Sequence, residues 1–195
     1  MQNGDTIFVA TTDSIQIFKN GKKVAQETMK SPKAPSSIAA NPAVSGEFAV
    51  GSEDTHVYIY TSSGSSITLK TTLSSSHREV TALAYSSSGE YLAAGDSSGK
   101  IILYAMSGGE YSVKTPRWAY HVGRISCLKF NDAGTHCVSG SLDTHVYVWS
   151  TLDVGKYIAI KNASKDGVWG VAWVGEKRIV SAGGDGAVKV WDVAI

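Results

Sequence analysis

The sequence predicts an all-β fold: a WD40-type β-propeller of which the chain holds a part. Three observations lead there. Residues 51–60 (GSEDTHVYIY) and 140–149 (GSLDTHVYVW) agree at seven of ten positions. Related segments fill the interval and flank it: GDSSGKIILY at 95–104, GGDGAVKVWD at 183–192 and a shorter TTDSIQIFKN at 11–20. The aromatics Phe18, Tyr60, Tyr104, Trp149 and Trp191 therefore recur at intervals of 42, 44, 45 and 42 residues. Finally, the last unit closes on Trp191-Asp192, and a period of about 40–45 residues with that ending is the pattern of four-stranded propeller blades.

Each unit reads as four strands, a to d, running from the centre outward. Unit four shows the plan most plainly. Its strands are ISCLKF (125–130), THCVSG (135–140), HVYVWS (145–150) and KYIAIK (156–161), separated by the turns NDAG and SLDT. Aromatic and β-branched residues fill the strands, and Gly, Asn, Asp and Ser fill the turns. Unit three repeats it with VTALAY (80–85), YLAAGD (91–96), KIILYA (100–105) and YSVKTPRW (111–118). Pro116 falls in the outermost strand, where a missing N–H is tolerated best. Unit two has SSIAAN (36–41), EFAVGS (47–52), HVYIYT (56–61) and ITLKTT (67–72).

The outer units are shorter. Unit one has strands b, c and d at 6–10, 14–18 and 22–29, with only MQNGD before them. Unit five has VWGVAW (168–173), RIVSAG (178–183) and AVKVWD (187–192) and no strand d. The expected count is three complete blades and two incomplete ones, in units 1–30, 31–74, 75–118, 119–162 and 163–195. The two gaps do not complement each other, so the chain reads as an arc of a larger ring. Its open edges are an association hazard. Such an arc is expected to be poorly stable alone, to dimerise, or to be continued by further sequence.

Composition narrows the function classes. A net charge of +1 gives no reason to expect nucleic acid or an anionic membrane as partner. No apolar run reaches the roughly 18–20 residues of a spanning helix, and MQNGDTIFVA lacks the basic start and apolar stretch of a secretory signal. Cys127 and Cys137 fall in strands of one blade. A bridge between them is possible in principle, but buried thiols are the expected state.

His121, Ser139 and Asp143 contain the parts of an acyl-transfer triad. The repeat gives them another meaning. With a His before strand a, a hydroxyl in strand b, an Asp in the b–c turn and an aromatic in strand c, the residues His121, Ser139, Asp143 and Trp149 are expected to form a buried hydrogen-bond chain. Other units keep it unevenly. Unit two has Asp54 and Tyr60. Unit three has His77, with Ser98 at the Asp position and Tyr104. Unit five has Ser181, Asp185 and Trp191, with Ser164 near the His position. A catalytic set would not recur in altered form along the chain, whereas a stabilising one can.

Other motifs are weak. Gly183-Gly184-Asp185-Gly186 leads into a strand, with no Lys-Ser/Thr after it, so it reads as a hairpin turn instead of a phosphate loop. His56, His77, His121, His136 and His145 lack metal-ligand spacing, and no cofactor is expected. The serine runs 62–66, 74–76 and 86–88 read as solvated turns. Candidate partner-facing residues are Trp169, Trp118, Tyr120, Arg124 and Arg78, because exposed aromatics with arginine commonly anchor protein interfaces. For these, packing between blades is the competing role.

The segments WAYHVGRISCLKFNDAGTHCVSGSLDTHVYVWS (118–150), SSHREVTALAYSSSGEYLAAGDSSGKIILY (75–104) and APSSIAANPAVSGEFAVGSEDTHVYIY (34–60) resemble the C-terminal part of the actin-interacting protein 1 family. The similarity covers nearly the whole chain and extends through turns and d–a loops. It implies later blades of the second of two joined seven-bladed propellers. It also implies a non-catalytic protein of the cytoplasm and the actin cytoskeleton, at actin patches. Its implied partners are actin and cofilin (actin-depolymerising factor), and its implied role is to promote disassembly of cofilin-decorated filaments. The surface associated with that binding lies largely on the first propeller, so the resemblance assigns no binding residue here. The alternative from the repeat alone is a WD-repeat adaptor in another complex.

Overall fold

The computed structural model describes residues 2–3 and 6–195. Among them every helix or strand assigned is a strand, in five antiparallel sheets that follow chain order. The first sheet holds β1 (Gln2–Asn3), β2 (Thr6–Ala10), β3 (Ser14–Lys19) and β4 (Lys22–Thr28). The second holds β5 (Pro35–Ala40), β6 (Glu47–Ser52), β7 (Val57–Ser63) and β8 (Ser66–Leu73). The third holds β9 (Val80–Tyr85), β10 (Tyr91–Asp96), β11 (Ile101–Ser107) and β12 (Glu110–Trp118). In the fourth are β13 (Ile125–Phe130), β14 (His136–Ser141), β15 (Val146–Ser150) and β16 (Tyr157–Ile160). The fifth has three strands, β17 (Val168–Trp173), β18 (Arg178–Gly183) and β19 (Val188–Asp192).

One difference from the sequence reading lies at the first blade. Five residues were expected to be too few for an inner strand, yet Gln2 pairs with Ile7 and Asn3 with Thr6. Two residues suffice to add a stub to the open edge of β2, against six in each complete inner strand. In β12 the register shifts between Trp118 and Thr115, beside Pro116. A bulge there spares the sheet a missing donor.

The core is divided among the blade interfaces. Phe8, Ile15, Ile17, Phe48 and Tyr60 fill the gap between the first two blades. Val57, Ile59, Leu83 and Ile102 join the second and third. Ile101, Leu103, Trp118, Ile125 and Trp149 join the third and fourth, and Val146, Val148, Val168 and Ile179 join the fourth and fifth. Alternation along each strand places one set of side chains toward the preceding blade and the other toward the next.

Two repeated features draw the blades together. Ser36, Thr81 and Ser126, each second in its inner-strand pattern, donate to a main-chain carbonyl of the following inner strand. The pairs are Ser36 to Val80, Thr81 to Ile125 at 2.6 Å, and Ser126 to Val168. The middle strands contribute glycines. A Cβ on Gly95 would stand 2.6 Å from the side chain of Ile125, and one on Gly140 would stand 2.6 Å from that of Val168. The glycines therefore admit the next blade's first inner residue, a close approach that any larger residue would block.

In the fifth blade the repeat meets solvent. Val146 and Val148 of β15 are buried against β17–β19, but the equivalent Val188 and Val190 of β19 are 70% and 60% exposed. At the other end Ile7 and Val24 are exposed on the first blade. Cys127 and Cys137 are free thiols, and burial pushes both pKa values up.

Candidate functional site

The relay expected in unit four has continuous hydrogen-bond geometry. Trp149 Nε1–H donates to Ser139 Oγ at 2.8 Å, and Ser139 Oγ lies 2.8 Å from His121 Nε2. His121 Nδ1 lies 2.8 Å from Asp143 Oδ2. Asp143 also accepts from Val122 N–H (2.9 Å) and His145 N–H (3.0 Å). Burial holds the His121 pKa below the usual histidine value, against the opposing pull of Asp143. In the neutral ring one nitrogen donates and the other accepts. Nδ1–H thus donates to the carboxylate, and Nε2 accepts the hydrogen bond of the serine hydroxyl. Burial pushes the Asp143 pKa up, but its backbone donors and His121 outweigh this and hold it below the ordinary value. Ser139 is fully buried, with the Trp149 indole on its oxygen, so a substrate carbonyl has no approach to this hydroxyl.

The other blades solve the same problem with different residues. In the second, Asp54 Oδ2 accepts from Tyr58 OH (2.6 Å) and Ser31 Oγ (2.9 Å), while Tyr60 OH accepts from Lys30 N–H (3.3 Å). The third blade differs from the expectation that His77 holds the histidine position. His77 is exposed, and buried Ser76 takes the place of His121. Ser76 Oγ reaches Asp96 Oδ2 at 3.3 Å, and Ser98 Oγ donates to Asp96 Oδ1 at 2.7 Å. The Ser-x-Asp of the repeat is reversed to Asp-x-Ser, so the carboxylate enters from two residues earlier. In the fifth, Trp191 Nε1–H still donates to Ser181 Oγ at 2.9 Å.

The candidate partner surface divides. Trp118 is fully buried, which corrects its assignment as a surface anchor. The bulge in β12 tucks it under the fourth blade, where its ring stacks on Trp149 with centroids 5.5 Å apart. Tyr120 is 52% exposed and lies 4.3 Å from the half-exposed Tyr157 ring, forming the outer edge of the same aromatic stack. Arg124 is partly exposed and engaged with Glu79 of the third blade. Arg78 is exposed. Trp169, 61% exposed, is the most open tryptophan. It occupies the repeat position of Ser36, Thr81 and Ser126, so the hydroxyl contacts end there. Among the described residues no group of three metal-ligating side chains forms.

A buried polar cluster was not anticipated. Glu47 accepts from Lys70 Nζ (2.6 Å), Tyr111 OH (2.6 Å) and Asn41 Nδ2 (2.8 Å), and Tyr111 OH lies 2.9 Å from Tyr85 OH. Burial pushes the Glu47 pKa up, but these three donors outweigh it and hold the carboxyl below its ordinary value. The cluster ties the second blade to the third.

Consecutive four-stranded antiparallel blades make this chain a WD-repeat β-propeller protein. Residues 48–133 match the family Anaphase-promoting complex subunit 4 WD40 domain, and residues 155–192 match the family WD domain, G-beta repeat. The chain is 41% identical over 97% of its length to an uncharacterized WD repeat-containing protein of Schizosaccharomyces pombe. It is 35% identical over 98% to the 66 kDa stress protein of Physarum polycephalum, and 30% identical over 99% to actin-interacting protein 1 of Drosophila melanogaster. It spans 31% of the length of each of these three relatives. Among solved structures, Sqt1 of Chaetomium thermophilum, bound to the N-terminus of the ribosomal protein L10, superposes with a TM-score of 0.81. That match covers 97% of this chain and 56% of Sqt1 at 22% identity, a likeness of fold.

Proposed function

We propose that this chain is part of a non-catalytic actin-regulatory protein of the actin-interacting protein 1 family, acting with cofilin to promote filament disassembly at the cytoplasmic actin cytoskeleton. The observation that carries the reading is similarity across nearly the whole chain to actin-interacting protein 1 of Drosophila melanogaster, with 34% identity over 74% of the chain to that of Caenorhabditis elegans. The mechanism is differential binding. A rigid propeller face that fits the cofilin-bound filament better than bare actin shifts the equilibrium toward the altered filament. The blades supply the rigid support, and exposed loops supply the contacts.

The test is co-sedimentation with actin filaments, with and without cofilin, on a protein of the relatives' full length that contains this chain. Cofilin-dependent pelleting together with faster loss of filament supports the reading. Failure to pellet in both conditions overturns it. The match of residues 48–133 to a subunit domain of another complex favours a second reading, an adaptor in a different assembly. That reading gains if the full-length protein ignores filaments.

A further inference from the structure

The fifth blade departs from the repeat at two places that fit each other. Where earlier inner strands carry Ser36, Thr81 and Ser126, it carries Trp169. Where earlier b–c turns carry Glu53, Ser97 and Leu142, it carries Gly184. A Cβ on Gly184 would stand 3.0 Å from Trp169 Nε1, 3.0 Å from Asp166 Cβ and 2.5 Å from the Asp166 carbonyl. The glycine thus opens the space in which the indole lies against the turn. The same distances place Trp169 Nε1 within about 6 Å of Asp166 Cβ, inside the reach of one side chain across an indole. Asp166 is exposed, and among the described residues no ion pair engages its carboxylate.

We propose that Trp169 and Asp166 form a seat for an arginine side chain presented by a partner protein. An exposed indole face attracts a cation, and tryptophan is the strongest of the aromatic residues in this respect. A planar guanidinium stacks on such a face while its N–H fork turns to a carboxylate, which an ammonium cannot do as well. Lys165 stands beside the seat with an exposed side chain, and Asp185 Oδ2 accepts its backbone N–H at 3.4 Å. Its charge opposes an incoming cation, so selectivity falls to stacking and to the Asp166 carboxylate. The seat extends the reading of this chain as a protein-binding propeller and is independent of which protein the partner is.

The test follows the Trp169 indole N–H signal of the 195-residue chain by NMR during titration with N-acetyl-arginine amide and, separately, its uncharged citrulline counterpart. The expected result is a saturable shift with arginine amide and none with citrulline amide. Binding should weaken by about threefold or more in Asp166→Asn and tighten in Lys165→Ala. Trp169→Ala should remove the response of neighbouring backbone signals, with the rest of the spectrum reporting a preserved fold. Equal shifts with both amides, no saturable shift, or an Asp166→Asn variant that binds as well as the parent would overturn the proposal. Because the readout contains no filament, its failure is distinct from failure of the actin assay.

Discussion

Arg124 and Glu79 hold the same place in successive repeats, one residue before the inner strand, and their side chains meet across the blade boundary in a two-pronged ion pair of 3.0 and 2.9 Å. A position that repeats every blade can thus carry opposite charges in neighbours and serve as a tie. Both side chains are partly exposed, so solvent screens the pair. A double-mutant cycle on Glu79→Ala and Arg124→Ala should give a coupling of about 0.5–1 kcal/mol that shrinks in high salt.

Acid should weaken the fold before carboxylates titrate. In the unfolded chain His121 binds a proton near its ordinary pKa of 6.5, whereas burial holds it below that in the fold. The unfolded state then binds more protons, and stability falls as pH drops below about 6.5. His136, also lowered by burial, acts in the same direction. Asp143, held below its ordinary 3.8, adds a further loss only at lower pH. Unfolding free energies from urea titrations between pH 7 and 5 should decline, by at most about 1.4 kcal/mol per pH unit for the buried His121 and by less for the more exposed, solvent-screened His136. His121→Asn should flatten part of that slope.

Thr144 sits at φ 78° in the b–c turn of the fourth blade, a left-handed conformation that β-branched residues resist. Gly99 and Gly186 hold the matching positions in the third and fifth blades at φ 95° and 75°. Thr144→Gly should therefore raise the thermal midpoint, with a net gain of about 0.5–1 kcal/mol after the glycine's greater unfolded-state entropy is subtracted.

Equivalent valines should behave differently. Val148→Ala opens a cavity between the fourth and fifth blades and should cost about 1–3 kcal/mol. Val190→Ala, on the exposed face of β19, should stay within about 0.5 kcal/mol of the parent. Chemical denaturation of the two variants side by side checks the contrast.

The sequence was most legible where strong alternation met strong turn residues. Inner strands Val80–Tyr85, Ile125–Phe130 and Val168–Trp173 match the reading residue for residue. The outer strands β8 and β16 differ by one residue at each end because their half-exposed faces carry less pattern. The loop before β9 carries its histidine one residue later than the loop before β13 does, so His77 faces solvent and Ser76 falls where His121 is buried. The reversed Asp96-x-Ser98 was readable once the side chains were allowed to exchange places. For Trp118 the competing role, packing between blades, holds: periodicity locates the residue on a strand but does not reveal the bulge that turns its ring inward. The Glu47 cluster was hidden for another reason: its Tyr111 lies 64 residues away and belongs to no motif.

Ser139 is the point at which the structural role of the relay can be tested most directly. Removing its hydroxyl leaves the Trp149 N–H and His121 Nε2 unpaired in a site closed to water. Urea unfolding of Ser139→Ala should show a loss of roughly 2–4 kcal/mol relative to the parent, with the folded spectrum unchanged. An unfolding midpoint equal to that of the parent would contradict a role for these buried polar groups in holding the blade together.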